Sequence, residues 1–177
     1  MKRLETRKER QASKLDVATV YPFEVCTINF QIEDNVAFVV RSAACFGCST
    51  VNVIGSVPDH KTLMAKSGTA DHLVRINRFQ NINQFLSYIR NNDIELISAE
   101  LDSEAVSIHD YEFPINKRFC IVLGHEVAGV PVEILMNSKK VYIPMPGKGF
   151  CLNTSQAGTI FLHEAAKAYA KQKEINA

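Results

Sequence analysis

The chain reads as an α/β protein: a mainly parallel sheet with helices on both faces. Three observations predict this. Strand-like segments alternate with segments of helical apolar spacing along nearly the whole length. One of them, "RFCIVLG", is a near-continuous apolar run, the pattern of a strand buried on both faces. Turn-formers and hydrogen-bonding residues cluster just after strands, where open parallel sheets bind their ligands.

The elements follow in order. "FEVCTINF" (23–30), rich in β-branched and aromatic residues, predicts the first strand. Asp34 or Asn35 can cap the helix that follows; Val36, Val39, Val40 and Ala43 share one face, Phe38, Arg41 and Cys45 point the other way, and Gly47 is a stop. "STVNVIGS" completes a β-α-β unit, and "DHKTLMAKSG" is a short helix running into a turn. "HLVRINRF" is a strand, "INQFLSYIRNN" an amphipathic helix and "DIELISAEL" another strand. After "RFCIVLG", Pro131 opens the short helix "PVEILMN" and "KKVYIPM" is the last strand. The final helix spans about Thr154 to Lys173, with a stripe of Ile160, Phe161, Ala165, Ala168 and Tyr169. No repeat, low-complexity tract or second-domain linker interrupts this pattern.

The 177 residues suffice for one domain with a sizeable core, and the composition, 46% apolar and 22% charged, is that of a soluble globular protein. No apolar run approaches the roughly 20 residues of a membrane span. The N-terminus is charged and has no apolar segment behind it, so a cytoplasmic protein is expected. The odd count of five cysteines fits reduced thiols better than a disulfide framework. Cys45 and Cys48 have CxxC spacing, a weak zinc or redox signal without a second pair.

Charge is uneven. Residues 1–14 hold six Lys/Arg against two Glu, and Arg3, Arg7, Arg10 and Lys14 form one stripe if the stretch is helical. Such a stripe suits a phosphate backbone, and a merely solvated arm is the plain alternative. The expected organisation is therefore a basic arm over 1–20 and a domain over 21–177.

Two loops after strands carry the candidate chemistry. "LGHEVAGVP" (123–131) places His125 and Glu126 between Gly124 and Gly129. "IPMPGKGFCLNTS" (143–155) combines prolines and glycines with Asn153, Thr154 and Ser155, all good helix caps. Neither loop is a Walker cradle or a GxGxxG fingerprint, and the chain has no HExxH zinc motif and no GxSxG elbow. Each loop alone reads equally well as a tight turn with a good cap, and no metal is expected.

"NVAFVVRSAACFG" (35–47), "IVLGHEVAGVP" (121–131) and "IPMPGKGFCLNTSQAGTIFLHEA" (143–165), in this order, resemble the three motifs of the SpoU/TrmH family of SPOUT-class RNA methyltransferases; "KSGTADH" (66–72) resembles a further family stretch. The resemblance covers roughly residues 20–170. It implies a C-terminal trefoil knot, otherwise nearly absent from proteins, and transfer of a methyl group from S-adenosylmethionine to a ribose 2′-hydroxyl, leaving S-adenosylhomocysteine. By resemblance, Gly124, Ile143 and Leu152 present backbone groups to the cofactor, Leu123 and Met145 help line an apolar slot, and the loop near Ala99 is a third wall. Arg41 matches the arginine implicated in proton loss, although a guanidinium pKa above about 12 suits phosphate binding better than base catalysis. Asn35 and Glu126 match positions that orient this arginine or the substrate, and Asn153 matches the Leu-Asn motif. The chain departs from the family at His125 (commonly Asn), Val127 (often Gly), Cys151 (usually Ser) and Gln156 (usually small or apolar). Cys151 is an expected RNA contact, with a thiol as a weaker hydrogen-bonding group.

Family members usually dimerise, so a homodimer is expected, with Phe38, Cys45 and the final helix as interface candidates. The substrate expected for a chain with only the basic arm and "KAYAKQK" to gather RNA is tRNA. The rival readings are an rRNA-directed methyltransferase, a weakly active or inactive knotted RNA-binding protein, and an ordinary dinucleotide-binding domain.

Overall fold

The computed structural model of the chain describes Thr6, Glu9, Ala12, Ser13 and residues 18–149 and 151–175, the last three by backbone alone. Its elements are β1 (Tyr21–Ile28), α1 (Asp34–Cys45), β2 (Cys48–Ile54), α2 (His60–Ser67), a 3₁₀ turn (Asp71–Leu73), β3 (Arg75–Phe79), α3 (Ile82–Asn91), β4 (Glu95–Ala99), β5 (Val106–Ser107), β6 (Phe119–Leu123), α4 (Val132–Leu135), β7 (Ser138–Tyr142) and α5 (Thr154–Ile175). The seven strands form one sheet in the order β3-β2-β1-β6-β4-β7-β5. Every strand pairing among the described residues is parallel.

Strand alternation sends two sets of side chains to opposite faces. Phe23, Val25, Val51, Val53, Ile97, Ile121 and Leu123 pack with Val36, Val39, Val40 and Ala43 of α1 and with Phe161, Leu162 and Ala165 of α5. Cys26, Ile28, Ile54, Leu96, Cys120 and Val122 pack with Phe85 and Ile89 of α3 and Ile134 of α4. Each Val, Leu, Ile or Phe among them contributes about 1.5–3 kcal/mol on burial. All five residues of β6 are buried, as its apolar run predicts. Leu162 joins the α5 stripe, fully buried.

Several local expectations are corrected. Neither Asp34 nor Asn35 caps α1: the cap position is Glu33, and it makes no side-chain capping bond. The first half of "HLVRINRF" is the 3₁₀ turn, so β3 begins only at Arg75; the last strand ends at Tyr142, before Pro144, and α5 runs on to Ile175. The two-residue β5 is too short to carry a period and has no counterpart in the sequence reading.

The CxxC pair does not act as a unit. Cys45 is exposed, whereas Cys48 is buried, its thiol pushed up to about 12 by burial. No group of His, Cys, Asp or Glu suited to a metal ion exists among the described residues, and no helix there is long and apolar enough to cross a membrane. A fully buried carboxylate, Glu24 on β1, is held by Arg118 at 2.6 Å, Asn52 at 2.7 Å and Tyr88 at 2.9 Å. Such a group is tolerable only because every partner is in place.

Candidate functional site

The loops after β1, β6 and β7 meet at the C-terminal edge of the sheet, and one hydrogen-bonded relay joins them. Glu126, in the loop after β6, accepts from the backbone N–H of Gln31 at 2.8 Å and of Ile32 at 3.3 Å, and from the Asn35 amide at 2.8 Å. This carboxylate therefore satisfies two backbone N–H groups of the loop that leads into α1, and through the Asn35 side chain it ties that loop to the first turn of the helix. Asn35, 2% exposed, accepts in turn from the Asn153 amide at 3.2 Å and the Ser155 hydroxyl at 3.3 Å. Asn153 caps α5, taking the Ser155 N–H at 2.9 Å and its hydroxyl at 2.6 Å. Thr154, the remaining member of the polar trio, donates to the Gly124 carbonyl at 3.3 Å. Burial opposes ionisation of Glu126, but the Gln31, Asn35 and Ile32 donors outweigh it and hold its carboxyl below the usual range.

The turn from Gly124 to Val130 is closed on itself. His125 and Gly129 exchange backbone bonds of 3.1 and 2.9 Å. The His125 Nδ1 accepts from the N–H groups of Val127 and Ala128 at 3.0 and 3.2 Å, so it is bare of a proton there. In this chain the histidine is a turn-former, which uses its acceptor and leaves none for a metal on that nitrogen. A Cβ on Gly124 would lie 2.2 Å from the Gly129 carbonyl carbon, and Gly129 has φ +70°. The close approach expected at these two glycines is real. Gly147 and Gly149 face open space instead.

Around this turn lie the predicted cofactor residues. Leu123 is buried, Ala99 and Ile143 are half-buried against the core, and Met145 and Leu152 are 37% and 40% exposed. Cys151 is exposed beside Leu152. The clefts of about 770 and 680 Å³ that indent the molecule elsewhere, beside α3 and beside Tyr21 and Tyr169, lie away from these loops.

Arg41 is not part of the relay. It stands exposed on α1 and makes no hydrogen bond or ion pair among the described residues. Its guanidinium lies over Gly68, the left-handed C-cap of α2, where an added Cβ would come within 3.4 Å of the Arg41 Cζ. Next to Gly68, Thr69 has φ +63°, a costly conformation for a β-branched residue. Lys66 of the same helix pairs with Asp34 of α1 at 2.8 Å. The "KSG" stretch is thus the platform under Arg41, and the expected Glu126–Arg41 contact does not form within one chain. Arg3, Arg7, Arg10 and Lys14 lie outside the described residues.

One site residue escaped the sequence reading. Glu100, directly after β4, accepts from the Val130 N–H at 2.9 Å and the Leu101 N–H at 3.1 Å. Its one sequence signal is a carboxylate immediately after a buried strand.

Fold and site define a parallel α/β domain whose loops after β4, β6 and β7 gather at one edge of the sheet, braced by a carboxylate–amide relay onto α1. The chain belongs to the SpoU rRNA Methylase family, which matches residues 22–163. The family's trefoil knot is implied by that membership. A tRNA (guanosine(18)-2′-O)-methyltransferase of Aquifex aeolicus is 33% identical over 95 residues, 53% of this chain and 44% of that protein. The 23S rRNA (guanosine-2′-O-)-methyltransferase RlmB of Acinetobacter baylyi is 29% identical over 137 residues, 75% of this chain and 54% of that one. The chain thus spans about half the length of the curated relatives it matches. Among solved structures, the A. aeolicus TrmH/SpoU tRNA modifying enzyme superposes with TM-score 0.77 at 23% identity, covering 94% of this chain and 85% of that one. The AdoMet-bound rRNA methyltransferase from Sinorhizobium meliloti superposes with TM-score 0.75 at 22% identity, covering 84% and 58%.

Proposed function

We propose that this chain transfers a methyl group from S-adenosylmethionine to a ribose 2′-hydroxyl of RNA, with tRNA as the substrate. The observation that carries the reading is the Glu126–Asn35–Asn153–Ser155 relay: it locks together the three segments that match the family's motifs. The relatives' names include both tRNA and rRNA enzymes, so RNA ribose methylation is the shared element. The preference for tRNA rests on the six Lys/Arg within residues 1–14, a cluster of charge suited to a phosphate backbone.

The residues present fit the cofactor. Adenosine needs apolar surface with a few backbone partners. Leu152 and Met145 leave apolar side chains uncovered beside the backbone-rich loops after β4, β6 and β7. Leu123, Gly124, Ile143, Met145 and Leu152 would hold it, with Ala99 on the third side. When bound, S-adenosylmethionine supplies an activated methyl on a sulfonium.

The chain's own work is alignment and handling of the 2′-hydroxyl proton. Arg41 carries a guanidinium with no partner among the described residues, placed to take a phosphate of the RNA and so fix the acceptor ribose. Glu126 spends its lone pairs on Gln31, Ile32 and Asn35, so it acts by holding the loop and not as the base. Because Arg41 sits over Gly68 and apart from the donor loops, a second copy of the chain completes the site in this reading. Phe38, 40% exposed, and Cys45 lie on the outer face of α1 as candidates for that contact.

The test is transfer of labelled methyl from S-adenosylmethionine to total tRNA and, separately, to rRNA. Arg41→Ala should lower transfer by about 100-fold or more while cofactor affinity stays close to wild type. Methylation of rRNA alone corrects the substrate. No transfer to either RNA, with RNA binding intact, leaves a binding protein and ends the enzyme reading.

A further inference from the structure

Glu100 lies where two walls of the proposed cofactor pocket meet, and nothing in the motif resemblance assigns it a role. Its own backbone is fixed from β7, since its N–H donates to the Val141 carbonyl at 3.1 Å. Its side chain reaches across to the loop after β6. One oxygen takes the Val130 N–H at 2.9 Å and the other takes the Leu101 N–H at 3.1 Å. The same carboxylate is packed directly beneath Gly129: a Cβ there would lie 2.5 Å from Oε2. Gly129 in turn is pressed against Gly124 and bonded both ways to His125. A displacement of the 129–130 peptide therefore moves Gly124, the glycine whose backbone faces the cofactor, and pulls on Glu126 next to it.

We infer that Glu100 is a positioning residue for cofactor binding: it clamps the 124–130 turn against the end of β4 and sets the width of the pocket between these loops. It acts through Gly129 and Val130 and needs no contact with the ligand. The inference rests on the cofactor reading above. The chemistry gives it a distinctive signature. Both partners are N–H donors and each takes a different oxygen, so both side-chain oxygens must accept. Glutamine keeps the length and volume but turns one acceptor into a donor, placing an amide N–H against a backbone N–H. Aspartate keeps two acceptors but is one methylene short. A group that only filled space would be replaced by glutamine without loss.

The experiment is calorimetric titration of S-adenosylhomocysteine into wild type, Glu100→Gln and Glu100→Ala, with thermal unfolding of each ligand-free protein alongside. Glu100→Gln should weaken binding about tenfold, the value of one lost charged hydrogen bond, and should resemble Glu100→Ala more than wild type. Wild-type affinity in Glu100→Gln overturns the inference. A wild-type protein that does not bind S-adenosylhomocysteine overturns the cofactor reading itself, a separate outcome. If Glu100→Ala fails to fold, the Glu100→Gln titration alone decides; if Glu100→Gln fails, Gly129→Ala approaches the same contact from the other side. Its loss of affinity should be smaller in a Glu100→Ala background than in wild type, because the carboxylate it strikes is gone. Additive losses refute the coupling.

Discussion

Asn35→Asp is the sharpest test of the relay. The change is isosteric and replaces the amide nitrogen that donates to Glu126 by an oxygen, at an original separation of 2.8 Å. Two carboxylates at that distance repel by about 6 kcal/mol with an effective dielectric of 20. Taking up one proton is cheaper. From an ordinary aspartate pKa near 3.9, it costs about 4 kcal/mol at pH 7 and about 2 at pH 5.5. The pair therefore shares a proton, and its O–H···O bond stands in for the lost N–H···O. Wild-type Glu126, whose folded pKa is depressed, contributes stability that is complete above the usual carboxylate value and is lost only as pH falls through the folded value. It is thus flat between about pH 5.5 and 8. The variant carries a raised carboxyl and has the opposite slope, losing stability as pH rises. At about 2–4 °C per kcal/mol for a chain of this size, Tm should fall by about 8–16 °C at pH 7 and by about half that at pH 5.5. Circular dichroism melts of both proteins across this range decide the matter. A difference that does not change with pH, or one below about 2 °C, would show that Asn35 does not face Glu126.

Two further predictions concern the turn and the arm. Gly124→Ala puts a methyl 2.2 Å from the Gly129 carbonyl carbon and 2.4 Å from the Val130 nitrogen, where only backbone can yield. It should cost about 2–4 kcal/mol in urea unfolding and loosen cofactor binding; an unchanged midpoint would mean that the loops do not approach so closely. Deleting residues 1–14 removes the stripe of Arg3, Arg7, Arg10 and Lys14. If all four meet phosphates, the slope of log K against log salt for RNA binding flattens by about 3–4 units, and an unchanged slope excludes the arm from the interface.

Much of this is legible in the sequence, because a parallel sheet puts its ligand loops after its strands and those loops carry the unusual residues. Glu126, Asn35 and Asn153 each stood out. How they meet did not, since the contacts span 91 and 118 residues of sequence. Local propensity made Asn35 a cap for α1. In the fold no side chain caps that end; the Asn35 amide instead binds the distant Glu126 carboxylate, which also takes the N–H groups of Gln31 and Ile32 in the preceding loop. Glu100 was hidden in "DIELISAEL", which reads as strand to its end; the strand stops at Ala99, and the partner that gives Glu100 its place is a backbone N–H 30 residues away. Glu24 was hidden differently: a carboxylate inside a strand pattern implies solvent, and only the tertiary fold supplies Arg118, Asn52 and Tyr88 to bury it.

The relay also explains why the two halves of the chemistry sit apart. Each amide in it must point one way, because Glu126 only accepts: the Asn35 nitrogen faces the carboxylate, so its oxygen faces Asn153 and Ser155. The donor loops are therefore tied to the first turn of α1 by a chain with a single polarity, and α1 becomes a ruler. Arg41 lies six residues beyond Asn35, about 9 Å along the axis and about 240° around it. Among the described residues the guanidinium makes no bond to Glu126 and lies instead over Gly68. On the proposed reading, the bonds that shape the cofactor side of the site also place the helix that carries the arginine. In that reading an acceptor ribose bridges the gap between them, or a second chain closes it.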